Sequence, residues 1–312
     1  MRVTGIVLTV LAVIASAIAV ILVREAGSAV PRRSEPPVAA AASPGPSSSA
    51  PAHRTRHVLG VVTYNLVQFE KATSIYPSLA VKVVNWGTPF PAAAVLQNHG
   101  LGVKTMILLM PRGVSLSGIA AGREDRYLAS WAVAERRLGL PVVLSFAPEA
   151  NGSWYAWGAH HISPVLYRAM WHRVHDVFLR HGARRITWLW QMDVSSGGTE
   201  PLRWLWPGRA YVDEVGIDAH FKTPSDSFNS QFAPTVAQVR AITRKPVLIG
   251  EVAVNRGPSR ARQIASLFAG VRRLHLAGIV WFDVNHGENA NYQLADDPPA
   301  LAAFRKAVRS YR

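Results

Sequence analysis

The chain has 312 residues, 49% of them apolar and 17% charged, with a formal net charge of +15 and no cysteine. Disulfides, thiolate zinc sites and cysteine nucleophiles are therefore excluded, while the apolar content suffices for one large core. The positive balance suits nucleic acid, anionic lipid or acidic cell-wall polymer, but the arginines are scattered (Arg123, Arg136, Arg173, Arg184, Arg262, Arg272) and no basic run interleaved with aromatics marks a nucleic-acid groove.

Residues 5–23 carry no charge and are flanked by Arg2 and Arg24. The run is longer than the ~7–15 residues of a signal-peptide core and close to the ~20 of a membrane span. Residues 1–24 are thus expected to be a signal anchor, with a cleaved signal peptide as the alternative. Residues 25–56 follow as a linker. Its 35–52 stretch, EPPVAAAASPGPSSSAPA, has one large apolar residue, Val38, and cannot build a core. Such a leader and spacer hold a domain outside a membrane, either anchored or secreted. Residues 57–312 remain, roughly 255 positions, about the size of one α/β barrel.

Within that domain, short β-branched runs alternate with helical patterns. The predicted strands are 58–63 (VLGVVT), 80–86 (AVKVVNW), 103–109 (VKTMILL), 141–147 (PVVLSFA), 185–190 (RITWLW), 211–218 (YVDEVGID), 246–250 (PVLIG) and 277–283 (AGIVWFD). Residues 125–138 read as a helix. Ser163 and Pro164 open another, with Leu166, Met170, Val174, Val177 and Phe178 on one face and Gly182 as its stop. Pro258 opens a third, with Ile264, Leu267, Phe268, Val271 and Leu274 as its apolar stripe. Eight strands alternating with helices predict a (β/α)8 TIM barrel in a single domain. A doubly wound open sheet is the alternative, but neither GxGxxG nor GxxxxGK[ST] occurs.

In a TIM barrel the chemistry sits at the C-terminal strand ends. After the fourth strand stand Glu149, Asn151, Trp154, Tyr155 and Trp157. The seventh leads into Glu251, the fifth into Trp190 and Gln191, the sixth into Asp218 and His220, and the eighth holds Trp281 and Asp283; Trp86 closes the second. Two carboxylates facing each other across an aromatic cleft are what glycosidic cleavage requires: one protonates the departing oxygen and the other attacks or activates water. Asn151 and Gln191 are expected to hold hydroxyls, and Trp86, Trp154, Tyr155, Trp157, Trp190 and Trp281 to stack on sugar faces. Packing is the alternative for each aromatic taken alone. Asp218 and His220 join the substrate-binding set, though Asp218 and Asp283 also suit loop capping or orientation of the pair. The sequon Asn151-Gly152-Ser153 is read as chance, since a glycan there would block the cleft. His172 and His175 read as surface histidines, and His160 and His161 as loop residues. No GxSxG elbow occurs, and no metal or organic cofactor is called for.

These residues resemble glycoside hydrolase family 26, β-mannanase-like members of a large clan of retaining barrels. PEANGSWYAWG at 148–158 is similar to the family's acid/base segment, Glu-x-Asn-Gly-x-Trp-Tyr-x-Trp-Gly. KPVLIGE at 245–251 resembles its nucleophile strand, 211–218 the segment entering strand six, and IVWFD, Asn291-Tyr292 and PALAAFR its last strand and helix. The resemblance implies Glu149 as acid/base and Glu251 as nucleophile in a double displacement, with carboxyl groups about 5–5.5 Å apart. The implied substrate is a β-linked polysaccharide: mannan, β-glucan or xylan. Two positions depart from the pattern. Pro148 stands where many members have His, and His220 where many have a Tyr that contacts the nucleophile; His220 is still able to donate to Glu251. The expected partners are polysaccharide and, through the leader, a membrane; nucleic acid is not among them, and the domain is expected to be a monomer. The alternatives are a carbohydrate- or cell-wall-binding barrel without turnover, a basic membrane-held interaction protein, and a transglycosylase.

Overall fold

A computed structural model describes residues 57–195, 200–285 and 291–311. The expected leader and linker, 1–24 and 25–56, lie outside the described residues. Among the described residues no helix is long and apolar enough to cross a membrane.

Eight parallel strands close into a barrel in sequence order, with β8 returning to β1. They are β1 Val58–Val62, β2 Leu79–Asn85, β3 Lys104–Met110, β4 Val142–Phe146, β5 Ile186–Asp193, β6 Glu214–Phe221, β7 Val247–Val254 and β8 Gly278–Phe282. The helices are α1 Leu66–Thr73, α2 Ala92–Gly100, α3 Leu116–Ala120, α4 Asp125–Leu138, α5 Pro164–Arg180, α6 Leu202–Leu205, α7 Phe228–Gln231, α8 Ala233–Ile242, α9 Arg260–Arg273 and α10 Pro298–Arg309. A closed barrel replaces the open-sheet alternative.

Local chemistry explains the helix bounds. Ser163 Oγ accepts the Leu166 N–H at 3.2 Å and Pro164 takes the first helical position, so α5 begins where the sequence marks it. Gly139, at φ 64°, ends α4 in the left-handed region. The stripe of α5 is wider than expected: Tyr167 and Trp171 are buried with Met170, Val174, Val177 and Phe178, whereas Leu166 is only partly buried.

The helix layer packs on outward strand residues. Phe146 meets Trp171, Trp188 meets Phe178, and Trp281 meets Phe304 of α10, with ring centroids 5.0–6.1 Å apart. Each such buried side chain contributes roughly 1.5–3 kcal/mol. The barrel closes tightly at Gly278, where any Cβ would stand 2.3 Å from the Val58 carbonyl oxygen.

Strands β5, β6 and β7 run three or four residues beyond their predicted ends. Gln191, Asp193, His220 and Glu251 are thus strand residues, as Asp218 is expected to be, with side chains aimed by the pleat. A register shift between Ile217 and Asp218 on β6, and another along β7 against β8 between Ile249 and Val252, bracket Glu251. Irregularities of this kind re-aim side chains beside active sites.

Candidate active site

Past β4 the chain turns through two non-glycine residues of positive φ, Ala147 at 45° and Glu149 at 55°. Each costs on the order of 1–2 kcal/mol and persists because the turn is bonded from several sides. The Ala147 N–H donates to Leu109 O (3.1 Å), the Glu149 N–H to Gln191 O (2.8 Å) and the Trp157 Nε1–H to Pro148 O (2.8 Å). The glycines of the PEANGSWYAWG motif allow the loop to close on itself. A Cβ on Gly158 would lie 2.1 Å from Gly152 O, and one on Gly152 would meet the Trp154 ring at 2.1 Å.

This turn places Glu149 at the barrel mouth, where Trp154 Nε1–H donates to its Oε2 at 2.8 Å. Burial holds the Glu149 carboxyl well above the usual carboxylate range. The charges of Asp193 and Glu251 push the same way, and the Trp154 bond and Lys222 oppose them. Glu251 is 8% exposed on β7, and its Oε1 lies 3.1 Å from His220 Nε2. Its Cα is in register with Asp218. Asp218 accepts from Gln191 Nε2–H at 2.8 Å, and burial raises its carboxyl strongly, with Glu149 and Glu251 adding to the effect. The mouth therefore offers a Glu149 carboxyl whose protonated form burial favours, and a Glu251 carboxyl that a neighbouring imidazole contacts.

Several expected sugar contacts are corrected. Neither amide end of Asn151 is free: Nδ2–H donates to Asp193 O (2.9 Å) and Oδ1 accepts from Asp193 N–H (3.0 Å). The residue is fully buried, so it neither binds a hydroxyl nor accepts a glycan. Gln191 is buried with its amide nitrogen committed to Asp218. Trp190 and Trp281 are each 0% exposed. They sit one residue from Gln191 and Phe282, and the strand pleat turns them away from the barrel interior, onto Trp206 and Phe304. Trp86 is partly exposed but lies against Tyr127 of α4 and Phe146, with Nε1–H toward Glu124. Tyr155 and Trp157 stack at 4.4 Å in a buried layer, and the Arg112 guanidinium stands 5.0 Å from the Tyr155 ring. Of the aromatics expected in the cleft, Trp154 touches the Glu149 carboxyl and retains partial exposure.

His172 and His175 are half-buried rather than freely exposed. His172 stacks on Tyr211 at 3.9 Å and bonds Pro207 O, and His175 packs on Trp188. His160 and His161 are exposed loop residues, and His161 bonds Ser153 O. No cluster of metal-ligating side chains occurs among the described residues.

Four residues of the mouth have no counterpart among the expected site residues. Asp193 lies three residues beyond the predicted end of β5 at Trp190, on the face that the alternation Leu189, Gln191, Asp193 marks. Lys222 follows β6 and Arg112 follows β3. Tyr292 arrives from beyond β8, with its ring 5.4 Å from His220 and 5.8 Å from Phe282. It is held from behind. Arg260 donates to Tyr292 O (2.6 Å) and Asp297 Oδ2 (2.9 Å), and Asp283 Oδ1 accepts from Leu294 N–H (2.8 Å) and Trp281 Nε1–H (3.2 Å). Asp283 thus caps this loop and does not face the cleft.

The titrations carry a stability consequence. Burial raises Asp283 to about 6 and Asp193 to about 7, and raises Glu149 and Asp218 as well. An unfolded chain gives up these protons near pH 4. Between about pH 4 and 7 the folded state binds more protons, so stability falls as pH rises through that window. Asp226 and Asp297, held low, act in the opposite sense only below about pH 4. The thermal midpoint is expected to be lower at pH 8 than at pH 5. A midpoint rising across this range would contradict the burial assigned to the four carboxyls.

The model of glycosyl hydrolase family 26 matches residues 121–294, a span holding both Glu149 and Glu251. The fold is similar to that of a β-mannanase from Bacteroides ovatus, at 15% identity and a TM-score of 0.64, over 83% of this chain and 90% of that one. The catalytic domain of an endo-β-1,4-mannanase from Bacillus sp. JAMB-750 gives 15% identity and 0.66, over 82% and 86%. A modular endo-β-1,4-mannanase from Cellulomonas fimi gives 16% and 0.63, over 80% and 71%. At these identities the likeness is one of fold. Curated protein sequences give no match.

Proposed function

The chain belongs to glycosyl hydrolase family 26 and is a glycosidase, and from that premise we propose that it hydrolyses a β-linked polysaccharide, mannan first, with retention at the anomeric carbon. Glu149 is the acid/base and Glu251 the nucleophile. One observation carries this reading. Two carboxyls from β4 and β7 share the barrel mouth, one raised by burial and by the other's charge, the other contacted by His220.

In the first step a Glu251 oxygen attacks the anomeric carbon and the glycosidic C–O bond breaks. The proton on Glu149 moves to the departing oxygen, leaving a glycosyl ester on Glu251. In the second step Glu149, now ionised, takes a proton from water, whose oxygen displaces Glu251 and releases the sugar. Deep packing around the carboxyl favours the protonated form of Glu149, as a general acid requires. The Trp154 N–H favours the ionised form and so supports the second half of the cycle. His220, bonded to Oε1, orients Glu251.

Mannan leads among the substrates because the fold neighbours are mannanases; β-glucan and xylan follow. Residues 1–24 and 25–56 are proposed to tether the 57–312 domain outside the membrane, on the strength of their hydropathy and composition.

The test is the full chain against mannan, β-glucan and xylan, followed by reducing ends and by proton NMR of the anomer first released. Release of the β-anomer from one polymer supports retention. First release of the α-anomer would make the enzyme inverting. Binding without turnover on every polymer would leave a carbohydrate-binding barrel, and elongated products would indicate transfer to sugar.

A further inference from the structure

Three acidic residues stand in one row across the mouth. The Cα of Asp193 on β5 is in register with Asp218 on β6, and Asp218 with Glu251 on β7. In parallel strands, registered neighbours point to the same face. Gln191, two residues below Asp193 and on the same side, reaches Asp218, which confirms that this face of β5 looks into the barrel.

Asp193 is also tied to the loop that carries Glu149. Both polar backbone groups of Asp193 are taken by the buried Asn151 amide, two residues after Glu149. The Glu149 N–H is bonded to Gln191 O on the same strand. Two links thus bolt the turn to the tip of β5. They fix the Asp193 backbone relative to the Glu149 backbone, and neither link involves the Asp193 side chain.

We propose that Asp193 is a positioning residue for the acid/base, a carboxylate locked beside Glu149 whose negative charge keeps the proton on Glu149 until the glycosidic oxygen takes it. The inference rests on the reading of Glu149 given above. Among the charges that raise Glu149, that of Asp193 outranks that of Glu251. The groups facing Asp193 are Glu149 from the loop after β4, Asp218 and His220 from β6, Lys222 just after it, and Glu251 from β7. His220 and Lys222 favour its ionised form, whereas burial and Glu251 oppose it, so that it titrates at about 7. Its charge therefore appears as pH rises through neutrality, and that charge favours the protonated form of Glu149. Glu149, Asp193 and Asp218 titrate as a set, and the limbs of a rate profile belong to the set.

The deciding measurement does not depend on turnover. Full chain labelled with 13C in the glutamate carboxyls is titrated by NMR, and the Glu149 signal is identified by its loss in Glu149→Gln. Asp193→Asn, which keeps the shape and leaves the Asn151 clip intact, is expected to lower the Glu149 midpoint by about one pH unit. Asp193→Glu, which keeps the charge, is expected to leave it near the wild-type value. Asp193→Ser provides a second neutral variant should Asp193→Asn fold poorly. In turnover, the basic limb of kcat/KM should move to lower pH in the neutral variants and recover in Asp193→Glu. A Glu149 midpoint unmoved in both neutral variants overturns the proposal and leaves Asp193 as a strand-end residue. If Glu149→Gln keeps full turnover, the acid/base reading fails instead, a different result from a different measurement.

Discussion

Glu149→Gln is expected to lose about 10²–10⁴-fold in kcat/KM on polysaccharide, the usual contribution of a positioned general acid, while binding survives. The physical reason is narrow. Gln keeps the size of the side chain and still accepts from Trp154 Nε1–H at the oxygen position, but it has no proton to give. An aryl glycoside whose leaving group departs without protonation should therefore recover much of its first-step rate. The glycosyl ester should then accumulate, because its breakdown needs the same residue as base. Azide, which needs no deprotonation, should speed that breakdown. Glu251→Gln is expected to behave differently, losing turnover on polysaccharide and aryl glycoside alike, since no leaving group replaces a missing nucleophile. Equal losses on both substrates in Glu149→Gln would remove its acid role. Retained turnover in Glu251→Gln would mean that the nucleophile lies elsewhere.

Arg260→Met is expected to destabilise the domain by about 3–5 kcal/mol, the range for breaking one side of a buried ion pair. Arg260 is 1% exposed and its partner Asp297 is at the N-terminus of α10, where it also caps the Ala300 N–H. Methionine roughly preserves the volume against Trp281, whose ring lies 5.9 Å from the guanidinium. What it removes are the donors to Asp297, to Tyr292 O and to Gln293 O. The last two fasten the segment that brings Tyr292 against His220. Turnover should thus decline below the unfolding temperature, with kcat falling before the helices melt. Urea unfolding followed by circular dichroism reads the first effect and rate against temperature the second. A loss under about 1 kcal/mol would rank the pair with exposed bridges and remove the clip from any role at the site.

Much of this architecture is local in origin and was therefore legible in the chain. Eight β-branched runs with amphipathic helices between them call for a parallel sheet covered by helices, and Ser163-Pro164 and Gly182 mark helix ends through bonds made within a few residues. Glu149 and Glu251 were recognisable because each sits in a motif beside a strand end. What the sequence could not show is which partner each polar or aromatic side chain meets, because those partners arrive from distant strands. Gln191, Asp193, Asp218 and His220 looked like the end of apolar runs. In the barrel, neighbouring strands continue the backbone ladder past the last apolar residue, so polarity did not mark the end of the strand. Asn151 looked like a ligand for sugar until its amide met the Asp193 backbone. Trp190 and Trp281 looked like cleft residues until closure of the barrel decided which face of each strand was inside. Tyr292 reaches the mouth only because Arg260 and Asp283 hold its loop there. Periodicity and capping are short-range and written along the chain, whereas the pairing of charges and amides at the mouth is set by strand register and loop anchoring, which exist only once the barrel has closed.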